Sequence, residues 1–132
     1  MSEQADRLKE RTFRFALDVI ELTKQFPATE PGPTVRRQLA KSATSVGANY
    51  RAACRSRSHA EFTARIGVVA EEADESSYWL HITAGSKLVA SAALPRLQQE
   101  AHELTAIFSS AVGTARLRAA TKTKPGGGSR IG

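Results

Sequence analysis

Apolar residues recur at steps of four and three along most of this chain. From about Glu3 to Phe26, the positions Leu8, Thr12, Phe15, Val19, Leu22 and Phe26 form one helical stripe. Phe13, Ala16, Leu17 and Ile20 widen it, so the first helix is expected to bury more than one side. "PATEPGP" (27–33) then places three prolines and a glycine in seven residues, which ends the helix in a turn. A second helix is expected from about Thr34 to Arg55, with Val35, Leu39, Ala43, Val46, Tyr50 and Ala53 facing inward. "RSRS" breaks it, and Ser58 with Glu61 makes a capping box that starts a third helix near residue 59. Its stripe runs Phe62, Ile66, Val69, Ala73, Ser76, Leu80 and Ala84, with Gly85 as the expected C-terminal cap. A fourth helix begins between Ala92 and Pro95 and buries Leu94, Leu97, Ala101, Leu104, Phe108, Ala111 and Ala115.

Four amphipathic helices with short connections predict an all-α fold, an antiparallel up-down-up-down four-helix bundle occupying residues 1–121. "KTKPGGGSRIG" lacks periodicity, and residues 122–132 are expected to form a disordered basic tail.

The second helix carries more than a core face. At 100° per residue, Arg37, Lys41, Thr44, Ala48, Arg51 and Arg55 fall within about 80° of one another, opposite the apolar stripe. One flank is polar (Gln38, Ser42, Ser45, Asn49, Ser56) and the other small (Ala40, Gly47, Cys54). A mid-helix glycine costs about 1 kcal/mol against alanine. Gly47 therefore either admits close packing by helix 1, helix 3 or another subunit, or is a tolerated neutral choice. Asn49 either hydrogen-bonds across the bundle or faces solvent.

Helix 3 groups Val68, Trp79 and Ile82 with Glu61, Glu72 and Glu75, away from its core stripe. Aromatic and aliphatic anchors among carboxylates have the composition of a protein interface; the alternative is that Trp79 packs on a core edge. "EEADE" (71–75) and the basic ridge have opposite signs, and pair within a subunit or across a subunit boundary. The second option favours a ring.

Charge adds a direction to this picture. Nineteen Lys+Arg against 13 Asp+Glu give a formal net charge of +6, which favours polyanion partners. With one cysteine, Cys54, there is neither an intramolecular disulfide nor a multi-cysteine zinc site, as suits a reducing cytosol. No apolar run approaches the ~20 residues that cross a bilayer, and the charged start is not a signal peptide; a cytoplasmic location without membrane contact is expected. Residues three before His59, His81 and His102 are Ser56, Tyr78 and Gln99, so the Glu-x-x-His pattern of bundle di-iron sites is missing. Neither a phosphate-binding glycine loop nor a nucleophile elbow occurs. The expectation is a non-enzyme with no cofactor.

"SATSVGANYRAACRSRSHAEF" (42–62) followed by "EEADESSYWL" (71–80) resembles the four-helix bundle family first met as products of intervening sequences in bacterial 23S rRNA genes. The resemblance covers about Phe13 to Leu117. It implies an antiparallel bundle assembled as a pentameric ring. It also extends to the accessory protein of diversity-generating retroelements, a basic pentameric barrel that binds nucleic acid and a reverse transcriptase. Ser42, Ala43, Ser45, Asn49, Ser58, Glu61 and Phe62 match the family's motif, whereas Ala52 stands where glutamate is usual.

The expected function is that of a non-enzymatic homo-oligomer binding RNA or DNA through Arg37, Lys41, Arg51 and Arg55. Its subunits are expected to meet through Gly47, Val68, Glu72, Glu75, Trp79 and Ile82. The alternative is a protein–protein scaffold or accessory subunit that binds no nucleic acid.

Overall fold

A computed structural model describes residues 2–123, and these form four helices with no strand among them. The helices are α1 (Glu3–Thr23), α2 (Gly32–Cys54), α3 (His59–Gly85) and α4 (Ala93–Thr123). Each packs beside two others, in the order α1, α2, α3, α4 and back to α1; α3 makes the most extensive contacts, with α2 and α4. The fold is an all-α helical bundle. α4 reaches Thr123, two residues past the expected end of the domain, and residues 124–132 of the expected tail lie outside the described residues.

The stripes explain the core. All six expected positions of α2 are buried, as are Phe15, Val19 and Leu22 of α1 and Ile66, Val69, Ala73 and Leu80 of α3; Leu97, Leu104 and Phe108 join them from α4. Tyr50 and Phe108 meet at 5.2 Å between ring centroids.

The ends of the helices differ from expectation in ways that local chemistry accounts for. α1 stops at Thr23, and Lys24, Gln25 and Phe26 continue as turns whose N–H groups bond three residues back. Pro27 disfavours helical backbone at the residue before it. α2 starts at Gly32, with Pro33 in its first turn, where the missing N–H has no intrahelical partner to lose. The Glu30 carboxylate accepts from Thr34 N (3.2 Å) and Thr34 Oγ1 (2.8 Å), capping that end. α3 begins at the expected place, and Ser58 Oγ accepts from Glu61 N at 3.0 Å, but Glu61 Oε1 accepts from Arg57 N, at 3.2 Å, in place of the Ser58 N–H that a capping box uses. At its other end Gly85 is not the cap. Lys87, at φ 54°, is the left-handed residue, while Lys87 N bonds Ala84 O and Leu88 N bonds Thr83 O, the two bonds of a Schellman ending.

α1 and α4 are joined by charge. Arg11 donates from Nε to Glu100 Oε2 (2.7 Å) and from Nη2 to Glu100 Oε1 (2.8 Å) and Glu103 Oε1 (2.7 Å). Arg96 Nη1 reaches Asp18 Oδ2 at 3.3 Å.

Candidate nucleic-acid and subunit interfaces

The buried stripe of α2 turns its opposite side to solvent, so Arg37, Lys41, Arg51 and Arg55 are all exposed. None lies within 4.0 Å of a carboxylate oxygen among the described residues. Their surroundings are nevertheless unequal. Arg37 extends to Thr34 Oγ1 at 3.5 Å. Its charge, after the hydrogen bonds from Thr34, helps to hold the Glu30 carboxyl below the usual carboxylate range. Lys41 faces Glu72 of α3. Burial, then repulsion from Glu75, pushes the Glu72 carboxyl up, and Lys41 opposes that shift. Arg51 edges a groove between α1 and α2.

The residues expected at subunit contacts fall into three settings. Val68 and Glu75 are exposed, and Glu72 is half-buried. Trp79 and Ile82 pack against the core edge, the alternative reading of Trp79, while the Trp79 ring meets exposed Tyr78 edge-on at 5.1 Å. Gly47 is buried. The close approach it permits is made by helix 1 of the same chain, because a Cβ there would lie 3.1 Å from Thr12 Oγ1. Asn49 does not bridge the bundle: its Nδ2 donates to Ser45 O at 2.9 Å within α2. The hydrogen bond that does cross on this flank runs from Ser76 Oγ of α3 to Ser42 Oγ, at 3.1 Å.

The larger correction concerns α1, which does not bury its second side. Phe13, Leu17 and Ile20 are 54%, 37% and 36% exposed. Laid out at 100° per residue, the apolar positions of α1 span an arc of about 220°. Two neighbouring helices do not cover so wide an arc, and that excess was the signal available in the sequence.

A cavity of about 670 Å³ opens near the start of α3, lined by Leu8, Tyr50, His59, Phe62 and Phe108 among others. His59 Nε2 lies 2.8 Å from Ala115 O, which ties α3 to α4. Burial, followed by the influence of Cys54, pushes the Tyr50 phenol above its ordinary range. Among the described residues, no group of three or more His, Cys, Asp or Glu side chains is placed to hold a metal ion. No helix there is long and apolar enough to cross a membrane.

No curated protein matches the chain. Its fold is similar to the crystal structure of a protein of unknown function from the S23 ribosomal protein family of Bacteroides thetaiotaomicron VPI-5482. The TM-score is 0.74 at 23% sequence identity, over 83% of this chain and 97% of that one. Residues 6–110 match the family model of the 23S rRNA-intervening sequence protein, and the chain belongs to that family.

Proposed function

We propose that this protein is a non-enzymatic, cytoplasmic, homo-oligomeric bundle that holds RNA or DNA by its phosphates along the outer side of α2. The observation that carries the reading is the exposure of Arg37, Lys41, Arg51 and Arg55 on one side of one helix, each without an ion-pair partner among the described residues. An antiparallel up-down-up-down order is supported by the pairings Arg11 with Glu100 and Asp18 with Arg96, and of His59 with Ala115. The family resemblance supports a pentameric ring, and the likeness to the retroelement accessory protein supports a nucleic-acid partner.

Phosphate contacts release counterions, so four of them on duplex DNA give a log–log salt slope of about −3.6. Retention of a duplex is expected to fall about a hundredfold between about 50 and 200 mM salt. Replacing all four cations by alanine is expected to remove about 3.6 of that slope, leaving it near zero. Retention indifferent to salt, or absent at low salt, refutes the reading.

A scaffold without nucleic-acid binding is the second reading. It is favoured by the proximity of Lys41 to Glu72 and of Arg37 to Glu30, which leaves part of the ridge facing carboxylates of the same chain.

A further inference from the structure

The inward stripes of α1, α3 and α4 run on to one end of the bundle, but the helices do not close over them there. Leu8, Phe62 and Ala111 each stand on the inward stripe of their helix and are only half-buried. All three line the cavity of about 670 Å³ at the start of α3, a volume within the range of about 300–1,000 Å³ usual for small-molecule sites. Buried Tyr50, Ile66 and Phe108 make its floor. Apolar wall that faces inward and is still wet is stabilised by an apolar body that takes it out of water.

Shape and charge narrow the occupant. The contact of His59 Nε2 with Ala115 O sets the start of α3 beside the last part of α4, and along α4 the lining runs from Ala106 to Arg118, about 18 Å of helix. Drawn out over that length, the volume suits an extended chain better than a compact body. Arg118 stands at the outer end of this trench, exposed and without an ion-pair partner among the described residues. No carboxylate is part of the lining. The acidic residues on the same stretches of α1 and α3 are engaged elsewhere: Glu3 pairs with Arg7, Glu61 pairs with Arg65, and Asp6 lines the groove between α1 and α2. His59 is committed through Nε2 to the Ala115 carbonyl. One guanidinium at the end of an apolar trench selects a single anionic head on an apolar tail.

We propose that this trench binds a free alkyl carboxylate of medium chain length, its chain laid along α4 over Tyr50 and Phe108 and its carboxylate on Arg118. The chain covers Leu8, Phe62 and Ala111, and so completes the part of the core that the four helices leave open. The proposal does not rest on the nucleic-acid reading, because none of Arg37, Lys41, Arg51 and Arg55 lines the trench.

Isothermal titration calorimetry of the full chain with hexanoate, octanoate and decanoate tests this. Saturable binding of one molecule per chain is expected, tightening about fourfold per added methylene, the equivalent of about 0.8 kcal/mol for each buried CH₂. Arg118→Gln is expected to weaken decanoate about tenfold or more, the loss of a hydrogen bond to a charged group, and to leave the binding of 1-decanol unchanged. Ala111→Trp fills the trench from its wall and is expected to abolish binding of both probes at wild-type helicity, because the new ring enters open space. Should Ala111→Trp lose helicity, the split between decanoate and decanol in Arg118→Gln decides, since Arg118 is exposed and its replacement leaves the core untouched. Decanoate that binds without saturating, or at several molecules per chain, marks adsorption to a basic surface and overturns the proposal. So does decanoate binding that survives Ala111→Trp, or that is unchanged in Arg118→Gln.

Discussion

α2 meets its two neighbours by opposite means. Toward α1 the contact depends on missing atoms: Gly47 leaves room for Thr12, whose hydroxyl is held in place by donation toward Leu8 O (2.8 Å) and Lys9 O (3.1 Å). Toward α3 it depends on added atoms, the hydroxyls of Ser42 and Ser76. Each serine also reaches a carbonyl of its own helix, Ser42 to Leu39 O at 3.2 Å and Ser76 to Glu72 O at 2.9 Å. The difference predicts unequal tolerance. A seam defined by a missing Cβ has no slack, whereas one made of hydroxyls with a second acceptor survives the loss of either.

The largest effect should come from filling the first seam. Gly47→Leu puts a side chain where even a Cβ would lie 3.1 Å from Thr12 Oγ1, and it is expected to cost about 1–3 kcal/mol, read as a lower midpoint in thermal or urea unfolding. Gly47→Ala sharpens the point. Alanine gains about 1 kcal/mol in helix propensity, but its Cβ would sit 3.1 Å from a Thr12 oxygen that is not free to swing. Near-neutrality is therefore expected. In a Thr12→Ala background the same change should recover most of the propensity gain, a coupling that a double-mutant cycle measures. Strict additivity would mean that Thr12 is not what Gly47 accommodates.

The second seam should respond less. Ser42→Ala removes the cross-helix hydrogen bond without orphaning Ser76, which keeps Glu72 O, and a loss of about 1 kcal/mol is expected. Ser76→Ala should cost a similar amount, and a loss above about 3 kcal/mol for either would break the comparison, because it would mean that a buried polar group had been left unpaired.

These seams also mark what the sequence could disclose. The stripe of α2 and the Ser58 cap of α3 follow from spacing and local hydrogen bonding, and both lie where spacing puts them. That the α2 arginines face outward follows equally, since they stand opposite the stripe. What they face does not follow, because Glu30 and Glu72 approach them from other parts of the chain. For Asn49 a bond across the bundle and exposure to solvent were the two options open from spacing, and the local acceptor it takes instead, Ser45 O, is fixed only by three-dimensional geometry. The left-handed cap moved from Gly85 to Lys87 because the Schellman bonds to Ala84 O and Thr83 O fix the position, not the residue type. On α1, periodicity marks the apolar residues but not how many sides the neighbours cover, which is why Phe13, Leu17 and Ile20 belong to the apolar pattern and yet lie exposed.

The smallest effect lies at the rim of the second seam, where Glu72 sits between Lys41 and the Glu71–Glu75 carboxylates. Burial and like charge raise its folded-state pKa above the unfolded value, so the folded chain takes up this proton at a higher pH than the unfolded chain does. Stability from this group therefore increases as pH falls through the raised pKa, and at neutral pH the ionised carboxylate is a net cost. Glu72→Gln removes the charge while keeping the shape. At pH 7 it is expected to raise the unfolding free energy slightly, by on the order of a few tenths of a kcal/mol, the ordinary size for a side chain still partly open to solvent. The gain should shrink as pH falls through the raised pKa, where wild-type Glu72 takes up its proton. A variant less stable than wild type at pH 7 would reverse the sign and show that attraction to Lys41 outweighs burial and repulsion. In that event the α2–α3 seam would be held by an ion pair at its rim as well as by the serine pair inside.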